Sequence, residues 1–330
     1  LNRNTVLNSL NEIDNTDKAI KQLSPSSSWQ KILGDIISLG ILLLAVIALA
    51  FSPIFTKLSE IEISPTATIF NRLWLATIII SCWQLFKNPA NLRQIQPQEN
   101  KPPNYKQEFL LIIASLCATI SALLWAISLT HTSVASSTVL RSLTPLFITL
   151  GAWLIFKQQF NYQFILGMLL AIVGGITISW DDLQIGTTYL VGDGIALLSA
   201  ALHGMNILIV GYLRDRGCAT TKVLFWRCAG GALIILPLAY LTDSRLFPVS
   251  TQGWITVIAL AVVCQTFGQG LLVYSLKKFS ASFVGIFTLL KPIITALLAW
   301  IIFAEHLSLA SGIAVILILI GIYLAKSSSD

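Results

Sequence analysis

Four basic residues stand inside stretches that otherwise hold almost only apolar side chains: Arg72, Arg141, Arg227 and Lys291. An ionisable group at bilayer depth costs about 2.5–3.5 kcal/mol on insertion scales, so each is a functional candidate. The 15 Asp and Glu fall in tails, loops or the ends of the apolar runs. The interior therefore carries positive charge with no acidic partner from its own chain. The chemistry this permits is capture of an anion, a carboxylate or a phosphate. Lys291 is the strongest of the four. It is the eleventh residue of the run 281–303, and Pro292 behind it removes a backbone donor and predicts a kink. An uncharged, buried lysine is the alternative there. Arg72, Arg141 and Arg227 lie nearer run ends, where a long side chain can instead snorkel to headgroups or cap carbonyls.

Polar neighbours follow from helical spacing. Gln265 and Gln269 are four apart on one face, with Tyr274 one turn on. His203 and Asn206 are three apart, Asn71 adjoins Arg72, and Trp125 lies in a third run. These are candidate substrate-binding residues. The plainer alternative for Gln and Asn is interhelical hydrogen bonding, worth about 0.6–2 kcal/mol each, and for His203 a satisfied core histidine. His131 and His306 sit at run edges and complete no metal set with it, so no metal or other cofactor is expected. Cys82, Cys117, Cys218, Cys228 and Cys264 contain no CxxC pair and read as small hydrophobes, not as a disulfide framework or zinc site. Clustered acids or a nucleophile with its base are missing, as is a Gly-rich phosphate loop, which argues against an enzyme or a primary pump.

The elements that must position these groups are set by composition. Of 330 residues, 55% are hydrophobic and 11% charged, with a mean hydropathy of +0.78. Soluble domains carry about 25% charged residues. A span of the hydrocarbon core needs about 20 apolar residues. Ten such runs are present: 36–56, 65–86, 109–130, 134–156, 162–180, 191–213, 222–241, 253–275, 281–303 and 308–325. The polar tail 1–35, with Ser24–Ser28 around Pro25, is expected to be mobile, and the first run reads as an anchor, not a cleaved signal. The linker 87–108, with Pro89, Pro97, Pro102 and Pro103, reads as a solvated connection. With both termini inside, fifteen Lys and Arg fall on the inner segments and two on the outer loops. That bias predicts cytoplasmic termini in a plasma (inner) membrane protein. It also explains the net charge of +6 and pI near 9.1 without a nucleic-acid partner.

The chain is also internally duplicated. A shift of 147 residues aligns 110–156 with 257–303 without a gap, matching Cys117/Cys264, Ser128/Ser275, Pro145/Pro292 and Trp153/Trp300. A shift of 155 matches Phe70/Phe225 and Arg72/Arg227, and one of 158 matches Gly34-Asp35 with Gly192-Asp193. Two repeats of five spans, 36–180 and 191–325, must enter the membrane from opposite sides, because five is odd. Inverted repeats of this kind characterise many secondary transporters, with the substrate site between the halves near the midplane. The expected fold is thus an all-α integral membrane protein of ten transmembrane helices. Gly167, Ala171 and Gly175 recur every four residues, and Gly230-Gly231 and Gly312 are similar marks of close helix contact. Such a stripe serves packing within the chain or a homodimer.

These features resemble the EamA family of the drug/metabolite transporter superfamily. The resemblance rests on Gly192-Asp193, Arg72 with Arg227, Pro145 with Pro292, and the stretch Pro292–Gly312 with Glu305, Leu307, Ser308 and Gly312 in register. The first half departs from it, placing Gln158 beside Lys157 where the pattern has Glu. The resemblance implies a ten-helix carrier of metabolites, often an exporter. The expectation is a secondary transporter or facilitator of a small polar, anionic metabolite, with Pro145, Pro292 and Glu305 in structural or gating roles. A drug or amine efflux carrier is the alternative within transport, and a non-transport integral membrane protein or membrane enzyme the alternative outside it. Proton coupling would have to run through His203 or Lys291.

Overall fold

Hydrocarbon offers no partner to a backbone N–H or C=O, so an apolar run must close its hydrogen bonds within itself. The computed structural model describes residues 25–87, 105–132, 137, 140–178, 190–243, 245–303 and 309–327, and every apolar run it describes is helical. Span one is Pro25–Ala50, continued by Ser52–Ser59; span two is Pro65–Lys87 and span three Tyr105–His131. Span four holds Thr144–Phe156 and span five Tyr162–Ile178. Spans six and seven are Leu190–Asp215 and Thr220–Thr242. Span eight runs over Thr251–Ala259, a π-helical stretch Leu260–Gly268, and Gln269–Ser275. Span nine is the pair Ala281–Phe287 and Leu290–Phe303, and span ten is Leu309–Ser327. Six of these are long and apolar enough to cross a membrane unaided, while spans four, five, nine and ten contribute shorter apolar helices. The chain is an all-α integral membrane protein of ten transmembrane helices in two inverted five-helix repeats.

The first helix starts at Pro25, eleven residues before the expected boundary at 36. Proline opens it without loss, since its missing N–H falls among the donors a helix leaves unpaired there. Residues 1–24, most of the linker 87–108, and Glu305 lie outside the described residues.

Spans four and nine are not the continuous helices expected for 134–156 and 281–303. Ser142–Leu143 form a turn before the helix that opens with Thr144 and Pro145. Thr288–Leu289 form a turn before the helix Leu290–Phe303, with Pro292 in its first turn. The 147-residue shift carries one break onto the other to within one residue. A proline in a first helical turn sacrifices no bond, so each break falls just ahead of it. At each break a threonine hydroxyl takes up a freed carbonyl. Thr144 Oγ1 donates to Arg141 O and Thr288 Oγ1 to Gly285 O, both at 2.7 Å. The positions are exchanged between halves: Arg141 aligns with Thr288, and Thr144 with Lys291. Each break thus carries one threonine and one cation, with the cation before the turn in one half and after it in the other.

Span pairing follows the duplication. Span two lies against seven, four against nine, and five against ten, each pair joining repeat equivalents. Span three lies against six, and its counterpart is span eight against the end of span one, where Cys264 Sγ donates to Ala48 O at 3.3 Å. The crossing of spans five and ten is the tightest. A Cβ on Gly167 would stand 2.5 Å from Gly321 O, and one on Gly321 would stand 2.5 Å from Gly167 O. Ala171 lies beside Gly321, and Gly175 faces Ser142 and Leu289 at the two breaks. The small-residue stripe is therefore used within the chain. Gly230 and Gly231 meet Ser115 and Thr119 of span three, as expected, whereas Gly312 has open space around it and marks no close contact. Large apolar side chains such as Phe86 (85% exposed) and Leu241 (81% exposed) point outward, as a hydrocarbon solvent requires.

Candidate functional site

Arg72 does not snorkel. Its Nε donates to Gln265 Oε1 at 2.8 Å and an Nη to Ser52 Oγ at 3.0 Å. Ser52 is available because span one breaks at Phe51, where Pro53 starts a new helix. Arg227, its repeat equivalent, donates to Gln269 Oε1 at 3.0 Å. Both acceptors come from the π-helical turn and the residue that ends it, so span eight holds the guanidinium of span two and that of span seven. Gln265 Nε2 in turn donates to Cys228 Sγ at 3.4 Å. Cys228 and Cys264 are buried as expected, but each carries a polar contact beyond filling space.

Arg141 belongs to a second group. At the break of span four its Nη1 donates to Ser199 Oγ at 2.5 Å and reaches Ser121 Oγ at 3.4 Å. The two serines also cross-link their helices, each hydroxyl donating to the other residue's carbonyl at 2.8 Å. The guanidinium lies 5.6 Å from the centre of the Trp125 ring, a cation–π distance. Trp125 Nε1 is buried and has no hydrogen-bond partner among the described residues.

Lys291 and His203 are the other expected members. Arg141 and Arg72 both fall within electrostatic reach of Lys291. Arg141, Arg227 and Lys291 all act on the His203 imidazole. Among the described residues the Lys291 ammonium makes no hydrogen bond or ion pair, and no carboxylate reaches any member of the cluster. Guanidinium groups do not lose their charge in proteins. Like charges gathered without a counter-charge repel, and the more strongly the drier their surroundings. The cluster carries that repulsion with no compensating carboxylate among the described residues.

Three expected members, Asn71, Asn206 and Tyr274, are elsewhere, Asn71 at one end of the bundle with Leu246 O. Asn206 is fully buried and donates from Nδ2 to Ala114 O at 2.6 Å, tying span six to span three. Tyr274 is exposed, because five residues beyond Gln269 the helix has turned that position outward. The serines at 52, 121 and 199 were not expected. Ser52-Pro53 inside an apolar run was the available signal for the first; the other two carry none beyond being polar in spans three and six.

Each end of the bundle has a polar contact between the repeats. At one end Glu62 accepts from Ser250 Oγ and, at 3.2 Å, from the N–H groups of Val249 and Ser250. These bonds hold its carboxyl below the usual carboxylate range. Asn71 beside it donates to Leu246 O at 2.6 Å, and Phe70, Trp74, Phe247 and Trp254 stack over the same loop. At the topologically opposite end Lys222 of span seven pairs with Glu108 of span three.

The sequence pattern of the EamA-like transporter family matches residues 36–180 and again residues 190–326. The chain belongs to the EamA-like transporter family. An uncharacterized transporter of Archaeoglobus fulgidus is 21% identical over 290 residues, covering 87% of this chain and 96% of the relative. An uncharacterized transporter of Methanothermobacter thermautotrophicus is 23% identical over 223 residues, covering 65% of this chain. The match spans 63% of that relative's length. A solved crystal structure superposes with a TM-score of 0.73 at 17% identity, covering 88% of this chain and 96% of its own, which is a likeness of fold.

Proposed function

We propose that this EamA-like chain is a secondary transporter or facilitator of a small polar metabolite bearing negative charge. The observation that carries the reading is the cation cluster Arg72, Arg141, Arg227 and Lys291, which has no carboxylate beside it among the described residues and includes a charge at each helix break. Broken helices at repeat-equivalent positions are the usual material of carrier binding sites. Their freed backbone groups and hinges allow one half to rock against the other. Glu62–Ser250 and Glu108–Lys222, at opposite ends, are the contacts such rocking exchanges. We further infer cytoplasmic termini in the plasma (inner) membrane, from the Lys and Arg bias, and a working direction of export.

Two measurements test this. Comparing metabolites in the medium of deletion and overexpression strains identifies a compound whose external level follows the gene. Uptake of that compound into vesicles bearing the purified protein then depends on Lys291: Lys291→Gln lowers it at least tenfold while the protein still inserts. Equal uptake by Lys291→Gln and the unsubstituted chain removes the anion reading, and a medium unchanged between strains removes export.

A further inference from the structure

The cations do not form one patch. Arg72 and Arg227 are held side by side by Gln265 and Gln269 of span eight. Arg141 is held by Ser121 and Ser199 of spans three and six, against Trp125. The two groups share no hydrogen-bond partner and sit on different helices. Each offers a different donor set. The first has two guanidinium groups, each with further N–H groups that have no partner among the described residues. The second has one guanidinium and the unpartnered, buried indole N–H of Trp125. Lys291 follows the break of span nine, where Leu289 and Ser142 of the span-four break both face Gly175. One turn on, Thr295 donates to Ala50 O at 2.9 Å, two residues before the Ser52 that Arg72 holds. The Lys291 ammonium has no partner of its own among the described residues.

We propose that the site binds a solute with two anionic groups, one held at Arg72/Arg227 and the other at Arg141 and the Trp125 indole, with Lys291 neutralising charge between them. This rests on the transport reading above and narrows its substrate class to dicarboxylates and phosphorylated carboxylates. A single carboxylate satisfies one group and leaves the other uncompensated. A dianion answers both, and its length must fit the separation between them. The two acid types share the chemistry the site recognises, and the arms of the test separate them.

The test is binding to the purified full-length chain in detergent or lipid nanodiscs, read by thermal shift and titration. Probes are the straight-chain dicarboxylates from malonate to adipate, phosphoglycolate, and the single-headed acetate and methyl phosphate. The expected result is at least tenfold tighter binding of one dianion than of either single-headed probe, with a maximum at one chain length. A dicarboxylate maximum identifies carboxylates at both ends, and a phosphoglycolate maximum identifies one phosphate. Arg141→Gln and Arg227→Gln each reduce the best dianion to the affinity of its single-headed counterpart. Lys291→Met, which breaks no hydrogen bond among the described residues, stays folded and weakens every dianion. Equal affinity for one-headed and two-headed probes, or Lys291→Met binding dianions as the unsubstituted chain does, overturns the proposal. A vesicle assay keeps this separate from the transport reading: flux of a singly charged or neutral metabolite with no dianion binding sinks the two-headed site and leaves transport standing.

Discussion

At the scale of single residues, amide and hydroxyl oxygens do what carboxylates usually do for buried arginines. Gln265, Gln269, Ser52 and Ser199 accept hydrogen bonds from the guanidinium groups without cancelling their charge. A carboxylate at any of these positions would pair with the cation and remove the reason for an anion to enter. A hydrogen bond to a charged group is worth about 1.5–3 kcal/mol. Gln265→Leu is therefore expected to lower unfolding stability in detergent by about that amount, while Gln265→Glu binds anions less well without that loss; unchanged stability in Gln265→Leu would show that Arg72 is held otherwise. Glu62 gives a pH prediction. Its pKa is depressed below the ordinary 4.5 by bonds from Ser250 and Val249, so its contribution is complete above that value and is lost as pH falls through the lower folded one. Amide exchange at Val249 and Ser250, corrected for intrinsic rate, should show constant protection from pH 8 to about pH 5 and a loss only in stronger acid. Glu62→Gln should lose much of that protection at every pH. Unaltered protection in the variant would mean that the carboxylate does not hold this loop.

At the scale of helices, much was legible in the sequence, and what was not has a physical cause. The run boundaries of spans two, three, five, six and seven follow hydropathy to within about four residues at each end, because hydrocarbon solvation sets both. The break in span nine was foreshadowed by Lys291-Pro292, but its location was not. Proline is tolerated in a first turn, so the preceding helix ends at Phe287, five residues ahead of it, instead of bending at it. The corresponding break in span four does not stand out because Arg141-Ser142 lowers hydropathy too briefly to divide the run 134–156. The π-helical stretch of span eight leaves no mark in hydropathy; Tyr274 falls apart from the glutamines for a separate reason, since the five α-helical residues from Gln269 turn it to another face. The pairing of Gly167 with Gly321 was half visible: the stripe on span five was clear, and its receiver on span ten was not. Because the obstructing atom is a backbone carbonyl, Gly167→Ala must spread the crossing. Overpacking of this kind costs about 1–3 kcal/mol, and detergent unfolding of Gly167→Ala against Gly312→Ala, which has open space, measures it. Equal effects of the two substitutions would show that the crossing yields freely.

At the scale of the whole molecule, the duplication explains why the site has the parts it has. Every contact between repeat equivalents places like beside like, so Arg72 of span two comes with Arg227 of span seven, and the break of span four with that of span nine. The exchanged Arg141/Thr288 and Thr144/Lys291 positions are where the halves have diverged, and they put the two remaining cations on opposite sides of their turns. Two halves of one fold can trade conformations at little net cost, and on the transport reading proposed above the site between them faces either side of the bilayer in turn. Thr288, at the turn of span nine and aligned with Arg141, reports on this without removing a charge. In a chain with its five native cysteines replaced by alanine, Thr288→Cys in oriented vesicles is treated with an anionic, membrane-impermeant thiol reagent from one face and then from the other. Labelling from both faces, with the balance shifting when an anionic solute is added, is the expected result; labelling confined to one face under all conditions would contradict a site that opens alternately.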